Sequence, residues 1–283
     1  PIIDQSRRVI AVLGGSPLGS DWQSVHEGAA ELISEARDKI KFTEKQRNHR
    51  RGPFPAAAKG LSHGGGQTLR PPREPGMLKQ SPNTMAVLTY LFAHIFFIRL
   101  SGFANCLYET FAPNLFNQYR AQINNFKSHN RHRKFTFNFT NSVFATATVN
   151  FGPCTVSLPH IDFANLAWGW CAITALGKFD PDKGGHLILW DLGLIIRFPP
   201  GSTILIPSAL FWHSNVKIQE GETRYSFTQY SAGGLFRWEA NGFMTDEDFE
   251  HTATAEMKAE KARAHKTRWQ DGIAAYSHLD DLV

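Results

Sequence analysis

Cysteine is scarce in this sequence, and the few cysteines present define no recognisable cysteine site. Cys106, Cys154 and Cys171 are the three in 283 residues, and no two of them stand at a C-x-x-C spacing. An odd number without paired spacing supports neither a disulfide framework nor a thiolate zinc site. The pattern favours a reducing compartment.

Long apolar runs and a dinucleotide fingerprint are also missing. The most apolar segment, residues 85–98, is interrupted by His94 and followed by Arg99. It is too short to cross a bilayer, so we predict one buried helix there and no membrane partner. The chain opens at Pro1 without the pattern of a signal peptide. The only glycine pair after the first predicted strand does not extend to G-x-G-x-x-G, which argues against a nicotinamide or flavin dinucleotide site.

The composition predicts a globular chain with a substantial core. Of the 283 residues, 42% are hydrophobic and 12% are aromatic, which excludes a disordered chain. Lysine and arginine exceed aspartate and glutamate by five, an excess that favours a polyanionic partner without establishing one. We predict a single domain over residues 1–283, with helical and loop support in 1–134, a catalytic core in 135–243 and a C-terminal helix and tail in 244–283.

Helices and loops are predicted for the first part of the chain. Residues 7–17 predict a short strand that ends in a glycine turn, and Asp21 is placed to cap the helix that follows. Residues 48–76 are rich in glycine, proline and arginine. We predict an irregular loop there, either a mobile linker or a segment that approaches a ligand closely. Residues 83–125 predict two helices divided at Pro113, a residue suited to a helix start.

From Phe135 onward the sequence changes to short apolar or alternating runs rich in β-branched and aromatic residues. About eight runs predict strands: residues 135–140, 142–152, 155–160, 170–177, 186–192, 194–200, 202–212 and 224–233. Strands so short and closely spaced predict a jelly roll or barrel, so the fold class is α+β, with the N-terminal helices buttressing the core. Residues 245–268 predict a surface helix, because Thr245 and Asp248 form a capping box and cations fill its C-terminal half.

Four polar residues in this β-rich half stand in an order that suggests a metal centre. His160 and Asp162 lie two apart on an extended segment and project from one face, and His213 follows about fifty residues later. Two imidazoles and one carboxylate leave other metal positions open, as a non-haem ferrous oxygenase requires. Arg224 is suited to bind a carboxylate, with Ser226 beside it on the same strand face. His186 and Cys171 are the remaining ligand candidates, although each is more readily explained by strand packing.

The sequence around these residues resembles the fungal branch of the TET/JBP family of iron(II)/2-oxoglutarate dioxygenases. The resemblance covers residues 150–215 and "GETRYSFTQYSAGGLFRW", and it extends to "HRRGPFPA" and "GLSHGGGQ" near the N-terminus. It implies a double-stranded β-helix that uses Fe(II), 2-oxoglutarate and O2 to oxidise methyl groups on DNA bases. The expected substrate is 5-methylcytosine first and N6-methyladenine second, in a flipped-out nucleotide, and the expected location is the nucleus.

The same resemblance assigns roles to individual residues. His160, Asp162 and His213 match the iron ligands, and Arg224 with Ser226 matches the site for the far carboxylate of 2-oxoglutarate. Asn165 matches the residue that contacts the flipped base, with Phe163, Trp168 and Tyr230 as aromatic candidates near it. One departure is that Cys154 and Thr155 stand where relatives place a basic side chain for the near carboxylate. The candidates for DNA phosphate contact are Arg50, Arg51, Arg70, Arg131, Arg133 and Lys134.

Two other functions are compatible with the sequence. The first keeps the iron chemistry and changes the substrate to a protein side chain or a small molecule. The second is a catalytically inactive jelly roll that only binds nucleic acid or a partner, against which the intact His160, Asp162, His213 and Arg224 argue. Asn165 both donates and accepts hydrogen bonds, so it does not choose between cytosine and adenine.

Overall fold

The computed structural model describes residues 1–19, 21–64, 74–129 and 135–282. The described strands are β1 Ile2–Ile3, β2 Val9–Gly15, β3 Ala56–Ser62, β4 Gly76–Met77, β5 Thr146–Asn150, β6 Cys171–Lys178, β7 Leu187–Leu189, β8 Leu194–Ile196, β9 Thr203–Ile206, β10 His213–Asn215 and β11 Thr223–Tyr230. The described helices are α1 Trp22–Asp38, α2 Glu44–Arg47, α3 Pro82–Ala93, α4 Ile95–Phe111, α5 Pro113–His129, α6 Gly233–Ala240, α7 Asp246–Thr252 and α8 Ala255–Ala274.

Two antiparallel sheets form the core of the described chain. The large sheet has the order β1-β2-β9-β6-β11-β5-β3-β4, and the small sheet has the order β10-β7-β8. Side chains of β6 and β9 pack with side chains of β7 in one apolar cluster, which includes Ile204, Ile206 and Leu189. The predicted α+β fold with a jelly-roll core is confirmed.

The helices α1, α3 and α4 cover one face of the large sheet. Ile33, Leu91 and Phe97 pack with Val149 of β5 and Phe227 of β11 in a single buried cluster. Because side chains alternate along a strand, the even-numbered residues of β11 point to the opposite face. The helices therefore stabilise the sheet from one side, and Arg224 and Ser226 lie on the side of β11 that faces away from them.

The predicted irregular loop over residues 48–76 is wrong in part, because it contains a strand of the large sheet. β3 pairs along its length with β5, although its sequence AAAKGLS is poor in the β-branched residues that mark strands. Small side chains suit this position: a Cβ at Gly60 would collide with the backbone of Ala145 and Thr146. Residues 56–62 form a strand because β5 lies close beside them, and the local sequence does not reveal that contact.

Two predicted strands are absent from the described chain. Residues 135–140 form no strand, because their aromatic side chains enter two separate clusters, Phe139 in one and Phe135 with Phe137 in the other. Residues 155–160 make only an isolated bridge at His160. The aromatic residues of 135–140 thus anchor to the core instead of forming a regular ladder, whereas Leu158 in the second segment is 51% exposed.

The single buried helix predicted over residues 85–98 is also wrong, since the chain bends between α3 and α4. His94 has extended backbone angles and its side chain accepts a hydrogen bond from Phe96 N–H, so it ends one helix and caps the next. The helix start at Pro113 is confirmed. Among the described residues no single helix is long and apolar enough to span a membrane, whereas α3 and α4 pass that test as a pair bent by 68°.

The C-terminal helix predicted over residues 245–268 is two helices. Thr245 caps α7 by accepting a hydrogen bond from Asp248 N–H at 3.0 Å, as expected. Thr254 then caps α8 in the same way through Met257 N–H at 3.2 Å. A second capping threonine interrupts the helix because its side chain satisfies amides that an unbroken helix would bond internally.

Candidate metal centre

The structure brings His160, Asp162 and His213 together. One donor atom from each of the three lies within 4.8 Å of the other two, in the only such group among the described residues. His160 and His213 face each other through a reciprocal pair of backbone hydrogen bonds of 3.1 and 2.9 Å. Asp162 is fixed by its N–H, which donates to Ser208 O at 2.7 Å. A short bridge between distant segments thus sets the spacing of the three side chains.

Hydrogen bonds orient both imidazoles toward the carboxylate. Nδ1–H of His160 donates to Leu158 O at 2.7 Å, and Nδ1–H of His213 donates to Phe211 O at 2.9 Å. Since a carbonyl only accepts, each Nδ1 carries the proton and each Nε2 keeps its lone pair. Both Nε2 atoms lie 3.9 Å from an oxygen of Asp162. The donor set and its outer hydrogen bonds fit ferrous iron.

Burial keeps the two imidazoles neutral. It lowers the pKa of His160 to about 4, with His213 contributing in the same direction, and it also lowers the pKa of His213. We therefore expect the affinity for Co(II), followed by its visible absorption, to fall by less than tenfold between pH 7.5 and 5.5. If one imidazole had the ordinary histidine pKa, protons would compete with the metal, and the affinity for Co(II) would fall about tenfold over that interval. A tenfold or larger loss contradicts this prediction.

Arg50 and Arg51 contact Asp162 in this structure. Arg50 Nη2 lies 3.1 Å and Arg51 Nε 3.6 Å from Asp162 Oδ1, and Arg50 Nη1 donates to Ile161 O at 2.7 Å. Burial alone would raise the pKa of Asp162, but Arg51, the two imidazoles and Arg50 together lower it. The two arginines predicted to contact phosphate thus hold the carboxylate in its ionised, metal-binding form. They also supply the cations near the metal side that the stretch at Cys154 lacks.

Arg224 is a buried guanidinium with free donors. Its residue is 1% exposed, its Nη1 donates to Thr155 O at 2.9 Å, and its Nε and Nη2 have no partner among the described residues. Burial lowers the pKa of Arg224 to about 10, so it stays charged at neutral pH. Ser226 lies on the same strand face and accepts a hydrogen bond from Asn150 at 2.7 Å. Unpaired buried donors fit a bound carboxylate such as that of 2-oxoglutarate.

A pocket of about 740 Å³ opens beside Asp162. Of the residues predicted to contact a base, Phe163, Asn165 and Tyr230 line it. Phe163 is 71% exposed and lies under the Arg50 guanidinium, whose carbon is 5.1 Å from the ring centroid. Trp168 is not among the lining residues; its ring packs against Gly272 of α8, where a Cβ would not fit. The structure therefore brings three of the four candidates to the metal centre.

The other candidates separate into three groups. Arg70, Arg131, Arg133 and Lys134 lie outside the described residues. His186 is not part of the metal-binding group. Cys171 is buried beside Ser208 rather than among the ligands, and burial raises its pKa to about 12, which keeps the thiol protonated.

Ser208 is a residue of this site that the sequence did not indicate. The carbonyl oxygen of Ser208 accepts a hydrogen bond from the N–H of Asp162. Its Oγ accepts a second hydrogen bond, from Asn165 Nδ2, at 3.0 Å. It is 1% exposed. One buried serine therefore links the position of a metal-site carboxylate to that of a pocket amide. Serine follows the proline of a turn here, a setting too common to be recognised without the contacts.

Comparison with solved structures gives a match to NgTET1 in complex with 5mC DNA. The TM-score is 0.51 at 13% identity, over 74% of this chain and 69% of that chain. The chain shares the fold of NgTET1 over the matched part, as expected of a double-stranded β-helix. The predicted fold is thereby confirmed.

Two further structures match with lower scores. A 2OG-Fe(II) oxygenase family protein from Burkholderia pseudomallei has a TM-score of 0.37 at 15% identity, over 76% of this chain and 92% of that chain. OsALKBH1 has a TM-score of 0.38 at 11% identity, over 72% of this chain and 91% of that chain. These scores support no further conclusion. Neither family models nor curated protein sequences match the chain.

Proposed function

We propose that this protein is an Fe(II)/2-oxoglutarate-dependent dioxygenase that oxidises methyl groups on bases in DNA. The proposal rests on two features of the same core: the His160, Asp162 and His213 group, and the buried Arg224, whose Nε and Nη2 have no partner among the described residues. A metal bound by three protein groups keeps positions open, and an unpaired buried arginine needs an anion. Both requirements are met together by iron and a dicarboxylate co-substrate.

The residues present divide the work of binding. Iron with 2-oxoglutarate and dioxygen supplies the oxidation, in which one oxygen atom enters the methyl group and the other enters succinate as carbon dioxide is lost. Arg224 would hold the far carboxylate through two N–H bonds. Arg50 or Arg51 would bind the carboxylate of 2-oxoglutarate that lies nearer the metal, since both guanidinium groups already lie beside Asp162. The carbonyls of Leu158 and Phe211 keep the imidazole rings oriented.

The pocket supports a nucleotide as the substrate. Its volume of about 740 Å³ lies in the range of small-molecule sites. Phe163 and Tyr230 offer aromatic faces, and Asn165 offers an amide. A base in a duplex cannot reach such a pocket without leaving the stack, at a cost of a few kcal/mol that stacking on aromatic rings helps to offset. We propose 5-methylcytosine as the first substrate and N6-methyladenine as the second, and a nuclear location remains a prediction.

Mass spectrometry of nucleosides tests this function. The protein is incubated with iron(II), 2-oxoglutarate and duplexes that carry either 5-methylcytosine or N6-methyladenine. From the 5-methylcytosine duplex we expect hydroxymethylcytosine. From the N6-methyladenine duplex we expect loss of the methyl group, because an N-hydroxymethyl group is an unstable hemiaminal that decomposes. If 2-oxoglutarate is consumed and neither nucleoside changes, the substrate is a protein side chain or small molecule. If no 2-oxoglutarate is consumed, the inactive binding module is the better description.

Ser208→Ala should weaken substrate binding without weakening metal binding. The carbonyl that holds Asp162 belongs to the backbone and remains, whereas the hydroxyl that anchors Asn165 is lost. One hydrogen bond is worth about 0.5–1.5 kcal/mol, so we expect KM for the methylated duplex to rise about 2- to 12-fold. Ser214→Ala is the matched control, because that buried hydroxyl instead accepts a hydrogen bond from Trp190. Equal effects of the two changes would contradict the role of Ser208.

A further inference from the structure

Three lysines line the pocket and form no ion pair with any residue that the structure describes. Lys41, Lys45 and Lys79 are all pocket residues, and no described carboxylate lies within ion-pair distance of any of them. All three are exposed. Unpaired cations that share one concave surface favour an anionic ligand.

The lysines are held in place by the elements that carry them. Lys45 precedes Gln46 in α2, and Lys79 precedes Gln80, just before α3. Gln46 Nε2 donates to Gln80 Oε1 at 3.0 Å, and Gln80 Nε2 donates to Ala58 O of β3 at 2.9 Å. Thr43 and Gln46 form a capping box at the start of α2. These hydrogen bonds join the segments that carry Lys45 and Lys79 to β3, which forms part of the pocket wall.

The charge of the pocket is one-sided. Asp162 is its only acidic lining residue, and Arg50 and Arg51 already neutralise that carboxylate. The contacts of the same two arginines with Asp162 place them at the metal side of the pocket. The three lysines supply positive charge that is in ion-pair contact with no described carboxylate.

We propose that Lys41, Lys45 and Lys79 bind the phosphates that flank the nucleotide whose base enters this pocket. The inference rests on the proposed function in so far as the substrate is a nucleic acid. A polynucleotide carries a phosphate on each side of every base, so one inserted base brings at least two anions to the pocket rim. A free nucleoside or a protein side chain brings none, and leaves these cations without a partner.

Salt dependence of DNA binding tests the site without relying on turnover. Affinity for a duplex falls with salt as a power of about 0.9 per phosphate contact. If each lysine makes one contact, the wild type loses about 40-fold more affinity than Lys41→Gln/Lys45→Gln/Lys79→Gln when salt rises fourfold. Each single change should lower the slope by about 0.9. Fluorescence anisotropy of a labelled methylated duplex measures these slopes, and thermal unfolding confirms that every variant is folded.

The matched control is Lys178→Gln/Lys217→Gln/Lys266→Gln, which removes the same charge from exposed lysines that do not line the pocket. The proposal is overturned if the pocket variants keep the wild-type slope, or if the control lowers it equally; in either case oxidation of DNA by the wild type leaves the proposed function standing. If the wild type binds no DNA yet consumes 2-oxoglutarate, both the DNA substrate and the lysine site are rejected.

Discussion

His213→Ala is expected to abolish iron-dependent consumption of 2-oxoglutarate. His213 is one of three donors in the group, and it is buried in β10 with its Nε2 3.9 Å from Asp162. Loss of an outer hydrogen-bond partner of a metal site costs about 10–100-fold in metal affinity or activity, so loss of a ligand should exceed that range. Succinate production after anaerobic iron loading measures the effect, together with the iron content of the purified protein.

His186→Ala provides the matched comparison. His186, like His213, is a histidine of the β-rich half, and it lies next to a short strand, yet it is outside the metal-binding group. We expect it to keep near-normal iron content and turnover. If His213→Ala retains wild-type iron content, or if His186→Ala loses as much activity, the assignment of the centre is wrong.

Arg224→Met is expected to have opposite effects on co-substrate binding and on stability. Truncating one partner of a buried charge pair costs about 2–5 kcal/mol, so KM for 2-oxoglutarate should rise at least about 30-fold. Without co-substrate the same change should stabilise the protein by roughly 1–2 kcal/mol, because two buried donors of Arg224 lack partners. Methionine fills similar volume without polar atoms, and only the bond to Thr155 O is lost.

Two measurements separate these effects. Initial rates against 2-oxoglutarate concentration give KM, and thermal unfolding without co-substrate should show Tm rising by about 2–4 °C. Arg197→Met is the control: that arginine is exposed and paired with Asp182, so its loss should leave KM unchanged. A decrease in Tm for Arg224→Met would mean that the guanidinium stabilises the free protein, and an unchanged KM would remove it from the co-substrate site.

The sequence predicted the strands best where apolar residues alternate within one element. β9 falls inside a predicted run, β6 and β11 each extend one residue beyond theirs, and the spacing of Arg224 and Ser226 correctly placed them on one strand face. The prediction from sequence failed where a contact outside the local pattern decides the secondary structure. β3 is a strand because β5 lies beside it, and the helix over residues 85–98 breaks because His94 caps the next turn.

The site shows the same division. The residue types and order of His160, Asp162 and His213 were sufficient to predict a metal centre, because few combinations of side chains bind iron and leave open positions. Residue type alone does not give the contacts of Trp168, Arg50 and Arg51. In the structure the indole packs on Gly272 and both guanidinium groups contact Asp162, while contact of these residues with DNA stays a prediction.

The sequence by itself therefore determined which donors are available, and which strand faces carry several of them, since both follow from residue identity and from a repeat of two residues. Tertiary structure alone decided which cations meet a carboxylate and which remain free at the pocket. The reason is that the interaction of a charge depends on its distance to other charges and on its burial. Both quantities arise only when segments distant along the chain come together.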